Sequence, residues 1–150
     1  MAVHQHKFYN TPLIGDLTNP KMTYDIQYLE SMDLHVVQTS GDMTGYGFVS
    51  MAEALLNHPE WLPNKNVLFD HRDLNFKKAS IKDIERIRSF HKKNENRIGS
   101  GKSAIVVKSG LSSEWHKLWS EGKRIQTGNI VQVFENYDRA VYWIRKQRNK

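Results

Sequence analysis

The chain has 150 residues, 39% of them hydrophobic and 25% charged, with a formal net charge of +6 and no cysteine. That length and balance fit one globular domain with a single core, and the missing cysteines exclude disulfides and thiolate chemistry and suit a reducing, cytoplasmic compartment. No apolar run approaches the length of a membrane span, and Met1 to Lys7 lack the apolar core of a secretory signal.

Residues 1–22 show no sustained period and carry Pro12, Gly15 and Pro20, so they read as a poorly ordered leader or a strand-like arm, leaving one domain over 23–150. Tyr24, Ile26 and Tyr28 alternate with Asp25 and Gln27 as in a half-buried strand. Glu30 to Asp33 reads as a turn, and Leu34 to Thr39 as the second strand of a hairpin, broken by Gly41 and Asp42. Phe48, Met51, Ala52, Leu55 and Leu56 then recur as one face of a helix, with Asp42 or Thr44 to cap it and Asn57 and Pro59 to end it.

Val67-Leu68-Phe69 is a short apolar run of the kind that fills a central strand covered on both faces. It leads into the charged Asp70-His71-Arg72-Asp73, read as a loop. Ser80 with Asp83 three residues on has the spacing of a capping box, and Ile81, Ile84, Ile87 and Phe90 give the buried stripe of the next helix. Asn94 to Lys102 reads as a polar loop and Ala104 to Val107 as another buried strand. Leu111, Trp115, Leu118 and Trp119 pattern a helix stopped by Gly122. Ile130 to Phe134 forms the last strand. Asn136 caps a final helix with Tyr137, Ala140, Val141 and Ile144 inside. Strands alternating with helices require crossovers, hence α/β architecture: a mixed, largely parallel sheet with an N-terminal β-hairpin and about four helices.

Three constellations carry chemistry. Asp70, His71, Arg72 and Asp73 place an acid, a base and a cation at the end of a strand, a composition that suits acid–base work or a metal site, while the favoured reading is an Arg–Asp ion pair beside a solvated histidine. The fragment His71-Arg72-Asp73-Leu74 spells the start of a kinase catalytic loop, but Lys78 stands where that loop needs an asparagine and no glycine-rich loop precedes it. Lys108, Ser109 and Gly110, followed by Ser112 and Ser113, join a strand to a helix start where free amides can hold an anion. Ser80 is a helix cap beside Lys77, Lys78 and Lys82, where an added phosphate would also be favoured. His4, His6, His35, His58, His91 and His116 are scattered, so no metal site and no cofactor are expected. Trp143 lies off the inner stripe of the last helix and either offers a partner or dimer surface or covers the sheet's edge.

The order of elements, the Asn57-His58-Pro59-Glu60-Trp61 helix exit, the Val67 to Arg72 segment, Val133-Phe134-Glu135 and the aromatic Ala140-Val141-Tyr142-Trp143-Ile144 helix resemble the STAS-type fold of anti-sigma-factor antagonists. The chain looks closest to the bacterial SpoIIAA-like, or STAS/SEC14-like, branch. The resemblance spans Tyr24 to Lys146. It implies a β–α superhelix and a regulatory, non-catalytic protein rather than an enzyme. It also implies a phosphoacceptor serine at the start of the helix after the central strand, a place that Ser80 takes here, with Lys78-Ala79 where the family has an acidic residue. The expected binding surface is Asp70, His71, Arg72, Asp73 and Ser80 together with Lys108, Ser109 and Gly110. Its expected occupants are a protein partner, a second copy, or a small apolar or anionic ligand. The positive charge, gathered in Lys77, Lys78, Lys92, Lys93 and the C-terminal Arg145, Lys146, Arg148 and Lys150, reads as solvated helix ends rather than a nucleic-acid face. The alternative function is carriage of a lipid or other apolar molecule in a cavity lined by Met43, Phe48, Met51, Trp115 and Trp119. A small enzyme built on Asp70 to Asp73 is a third reading.

Overall fold

The computed structural model describes residues 21–111 and 130–146. The expected helix through Trp115 and Trp119, with Ser112 and Ser113, lies outside the described residues, as does the leader apart from Lys21 and Met22. Met22, at the end of that stretch, is buried in the main core.

Strands β1 (Thr23–Leu29) and β2 (Leu34–Asp42) form the expected antiparallel hairpin, with Ile26 opposite Val37. A 3-10 turn over Glu30–Met32 closes it. Asp33 ends that turn in the left-handed region at φ 47°, a conformation that aspartate tolerates. β2 then pairs in parallel with β3 (Asn66–Asn75), β3 with β4 (Lys102–Val106), and β4 with β5 (Ile130–Phe134), giving one five-stranded sheet in sequence order.

The pleat sends successive residues to opposite faces, and the sequence supplies apolar side chains for both. Val37, Val67 and Ile105 point to the face packed with Met51, Leu55, Ile84 and Ile87 of helices α1 (Gly45–Leu56) and α2 (Ile81–Lys93). Val36, Leu68, Ala104 and Val106 point to the other face, under Ala140 and Ile144 of the last helix. Thr44 caps α1 by accepting the Gly47 amide at 2.9 Å. Asn136 caps the last helix by accepting the Arg139 amide at 2.9 Å.

Two expectations are corrected. The Asn94 to Lys102 loop contains a short helix, α3 (Glu95–Ile98), so the last helix, Tyr137–Arg145, is α4. Gly99, at φ +80°, ends α3 with its α-carbon against Asn64, where a Cβ would collide. The larger correction is β3, which does not stop at Phe69 but runs to Asn75. β2 also runs on to Asp42, pairing Ser40, Gly41 and Asp42 with Asp73, Leu74 and Asn75 after an irregularity between Gln38 and Ser40. The apolar anchors Leu74 and Phe76 lie in the main core and hold this extension down. Gly41 permits it: its φ of +89° and its approach to the Lys21 carbonyl leave no room for a side chain.

Candidate functional site

The extension turns the expected loop into a strand, and a strand separates neighbours. Asp70 and Arg72 point to one face of the sheet and His71 to the other. Asp70 is buried, and Arg72 closes on it in a fork: Nε donates to Oδ1 at 2.8 Å, Nη2 to Oδ2 at 2.7 Å, and the Arg72 amide to Oδ1 at 3.2 Å. Burial pushes the Asp70 carboxyl up, but these charge-assisted bonds outweigh it and hold the group below its ordinary value. Their reciprocal effect raises the Arg72 guanidinium, which lies 5.2 Å from the Tyr137 ring at the start of α4. Burial raises the Tyr137 phenol in turn.

On the opposite face His71 is sealed in. Its Nδ1 is 2.7 Å from the Thr39 hydroxyl, and its ring stacks 5.6 Å from Phe69, with the tilted Phe48 ring 6.0 Å away. Burial drives its pKa down to about 3, only partly offset by the Asp70 charge, so the imidazole is neutral. The acid and cation thus satisfy each other, and the base lies in the core. Asp73 alone of the four is exposed without a fixed partner role.

Ser80 is exposed and makes the capping box: its Oγ accepts the Asp83 amide at 3.2 Å, and Asp83 Oδ2 accepts the Ser80 amide at 2.9 Å. Asp83 Oδ1 also accepts the Gly45 amide at 2.8 Å, so one carboxylate ties the first turns of α1 and α2 together. The bonds of Ser80 go to Asp83, and none joins it to Asp70–Asp73 among the described residues. Lys108, Ser109 and Gly110 form an exposed turn just past β4, whose Val106 pairs with Asp70. They leave the C-terminal end of β4, and Asp73, Lys77 and Lys78 lie at and beyond the C-terminal end of its parallel neighbour β3; Gly110 takes a φ of +89°.

Sequence reasoning missed three participants: Thr39, Tyr137 and the meeting of two histidines. His35 and His58 are 23 positions apart, yet the α1 crossover brings His35 Nε2 to 3.2 Å from His58 Nδ1. His58 Nδ1 also accepts the Glu60 amide, so His35 Nε2 is the donor in this pair. His35 is fully buried beside Tyr28 and Trp61; burial first, then the His58 and Lys65 charges, push its pKa down to about 4. Only spacing across the crossover could have signalled this pair.

Met43, Phe48 and Met51 fill the main core. Two open grooves are lined by other residues: one of about 400 Å³ along Val141, Tyr142 and Arg145 of α4, and one of about 750 Å³ between α1 and α2. Neither is lined by Asp70 or Arg72. No helix among the described residues is long and apolar enough to cross a membrane.

No family model matches the chain, and no curated protein matches its sequence. Among solved structures it is similar to an uncharacterised protein of the DUF3478 family, with a SpoIIAA-like fold, from Shewanella loihica PV-4. The TM-score is 0.57 at 16% identity, over 83% of this chain and 94% of that one. With its hairpin-led, mostly parallel sheet and helices on both faces, this chain has the SpoIIAA-like fold.

Proposed function

We propose that the chain is a non-catalytic binding domain with a regulatory role, acting in the cytoplasm through a protein partner. The supporting observation is that the fold itself uses the groups a catalyst would need: the Asp70 carboxylate and Arg72 guanidinium close on each other at 2.7 Å, and His71 is buried. What remains outward at and beyond the C-terminal ends of β3 and β4 is a rim of charge and hydroxyl, Asp73, Lys77, Lys78, Ser80 and the Lys108–Gly110 turn. Such a rim suits reversible polar contact with a partner. Ser80 serves there as a helix cap. A phosphate on its oxygen would sit against the Asp83 carboxylate and would have to break the capping box, which weighs against a phospho-switch of the antagonist type. Carriage of a lipid has less support, because the methionines and Phe48 that would line a cavity are packed in the core.

Lysine cross-linking in the source cell followed by mass spectrometry tests the reading. Cross-links to one protein partner through Lys77, Lys78 or Lys108, lost when all three are changed to glutamate, are the expected result. Turnover of a small molecule that Asp70→Asn abolishes would overturn it.

A further inference from the structure

We propose that the groove between α1 and α2 docks an acidic amphipathic helix of a partner protein. This rests on the reading of the chain as a binding domain and gives it a second surface, away from the rim. The floor of the groove is apolar: Val49 and Phe90 are half-buried, and the Tyr46 ring stands 71% exposed at its side. An exposed apolar floor of this kind, flanked by charge, is the usual form of a helix-receiving groove.

The rim of the groove is basic. Lys82, Arg86 and Lys93 line it, with Glu85 as the single acid among the lining residues. On α2 these three cations fall at i, i+4 and i+11, one face of the helix, and span roughly 16 Å along it at about 1.5 Å per residue. Lys82 and Lys93 are exposed and have no ion-pair partner among the described residues. Arg86 is already placed: its guanidinium lies 3.9 Å over the Tyr46 ring, and Nη2 donates to the Tyr46 hydroxyl at 3.1 Å. A cation held at the mouth of an apolar groove loses little freedom on pairing with a carboxylate. The groove runs along α2 from Lys82 to Lys93, with Tyr46 and Val49 of the start of α1 on its other side, and that length along one helix suits a rod as occupant. A second copy is disfavoured, since a two-fold contact would set the same cations against each other.

The test uses the full chain and a labelled synthetic peptide of about 14 residues, some 20 Å as a helix, with leucines along one face and glutamates beside them. Anisotropy titration should show binding, and amide shifts should concentrate at Tyr46–Val49 and Lys82–Lys93. Lys82→Glu with Lys93→Glu should weaken it about tenfold or more, while the charge-matched Arg139→Glu with Arg145→Glu, outside the groove, leaves it unchanged. A peptide with lysine in place of glutamate should bind the Lys82, Lys93 double variant better than the original chain. No binding, equal binding of a scrambled peptide, shifts at the rim, indifference to the double variant, or tighter binding of poly-uridine RNA or anionic vesicles would each overturn the proposal. Cross-links through Lys77, Lys78 or Lys108 that persist after such a failure would remove the groove and leave the binding domain standing.

Discussion

Arg72 neutralises a carboxylate that the sheet has taken out of water. Removing the guanidinium leaves Asp70 buried with only the Arg72 backbone amide and its strand neighbour Gln38 to stabilise its charge. Arg72→Ala should cost about 2 kcal/mol, below the roughly 3–5 kcal/mol of a fully buried pair because the Arg72 side chain is half open to solvent. It should also raise the Asp70 pKa, and Asp70→Asn with Arg72→Ala together should cost less than the sum of the two. Urea unfolding and carbonyl NMR titration of the three variants check this. Equal and additive losses would mean that the fork is incidental.

At the scale of elements, two polar locks fix the helices, one between α1 and α2 and one between α4 and the sheet. Ser80→Ala removes one capping bond and should cost about 1 kcal/mol. Asp83→Asn should cost more, since the same carboxylate holds the Ser80 and Gly45 amides and thus both helix starts. Lys102 is the second lock: its buried ammonium donates to the Trp143 and Lys146 carbonyls at 2.8 Å each and so satisfies the open end of α4. Lys102→Met should cost about 2 kcal/mol, and hydrogen exchange should rise in α4 first. Exchange that rises uniformly would contradict that local role. The caps at Ser80 and Asn136, and Thr44 as one of two candidates, were legible in the sequence because capping is a local rule, two or three residues wide. The length of β3 was not. Asp70, Arg72 and Asp73 look like loop residues until β2 is beside them, and only the ladder to Ser40–Asp42 together with the buried Leu74 and Phe76 makes a strand of them. Lys102 was read as the end of a loop because its partners lie more than forty positions away.

Among the described residues, the order of the strands and of the three longer helices was readable from periodicity, since each strand's apolar run and each helical stripe repeats within a short window. The juxtapositions were not: the histidine pair, the Thr39–His71 contact and the α1–α2 groove are made by crossovers. They also set the response to acid. His71 and His35 have folded pKa values of about 3 and about 4, against about 6.5 when unfolded. The unfolded chain therefore binds more protons in that window. Stability is full above about pH 6.5 and falls as pH drops towards 4, each imidazole adding a slope of about 1.4 kcal/mol per pH unit. Asp70, with its lowered pKa, steepens the loss further down. Denaturant midpoints from pH 7.5 to 4.5 check this, and His35→Phe should flatten the profile by about one proton.

The most direct measurement is an NMR titration of the His71 imidazole in the folded chain. If the fold has enclosed the base beside the Asp70–Arg72 fork, the ring stays neutral and its carbon and nitrogen shifts hold still from pH 8 to the onset of acid unfolding. A titration midpoint near pH 6.5 would contradict that enclosure, open His71 to solvent and substrate, and return the cluster to catalysis.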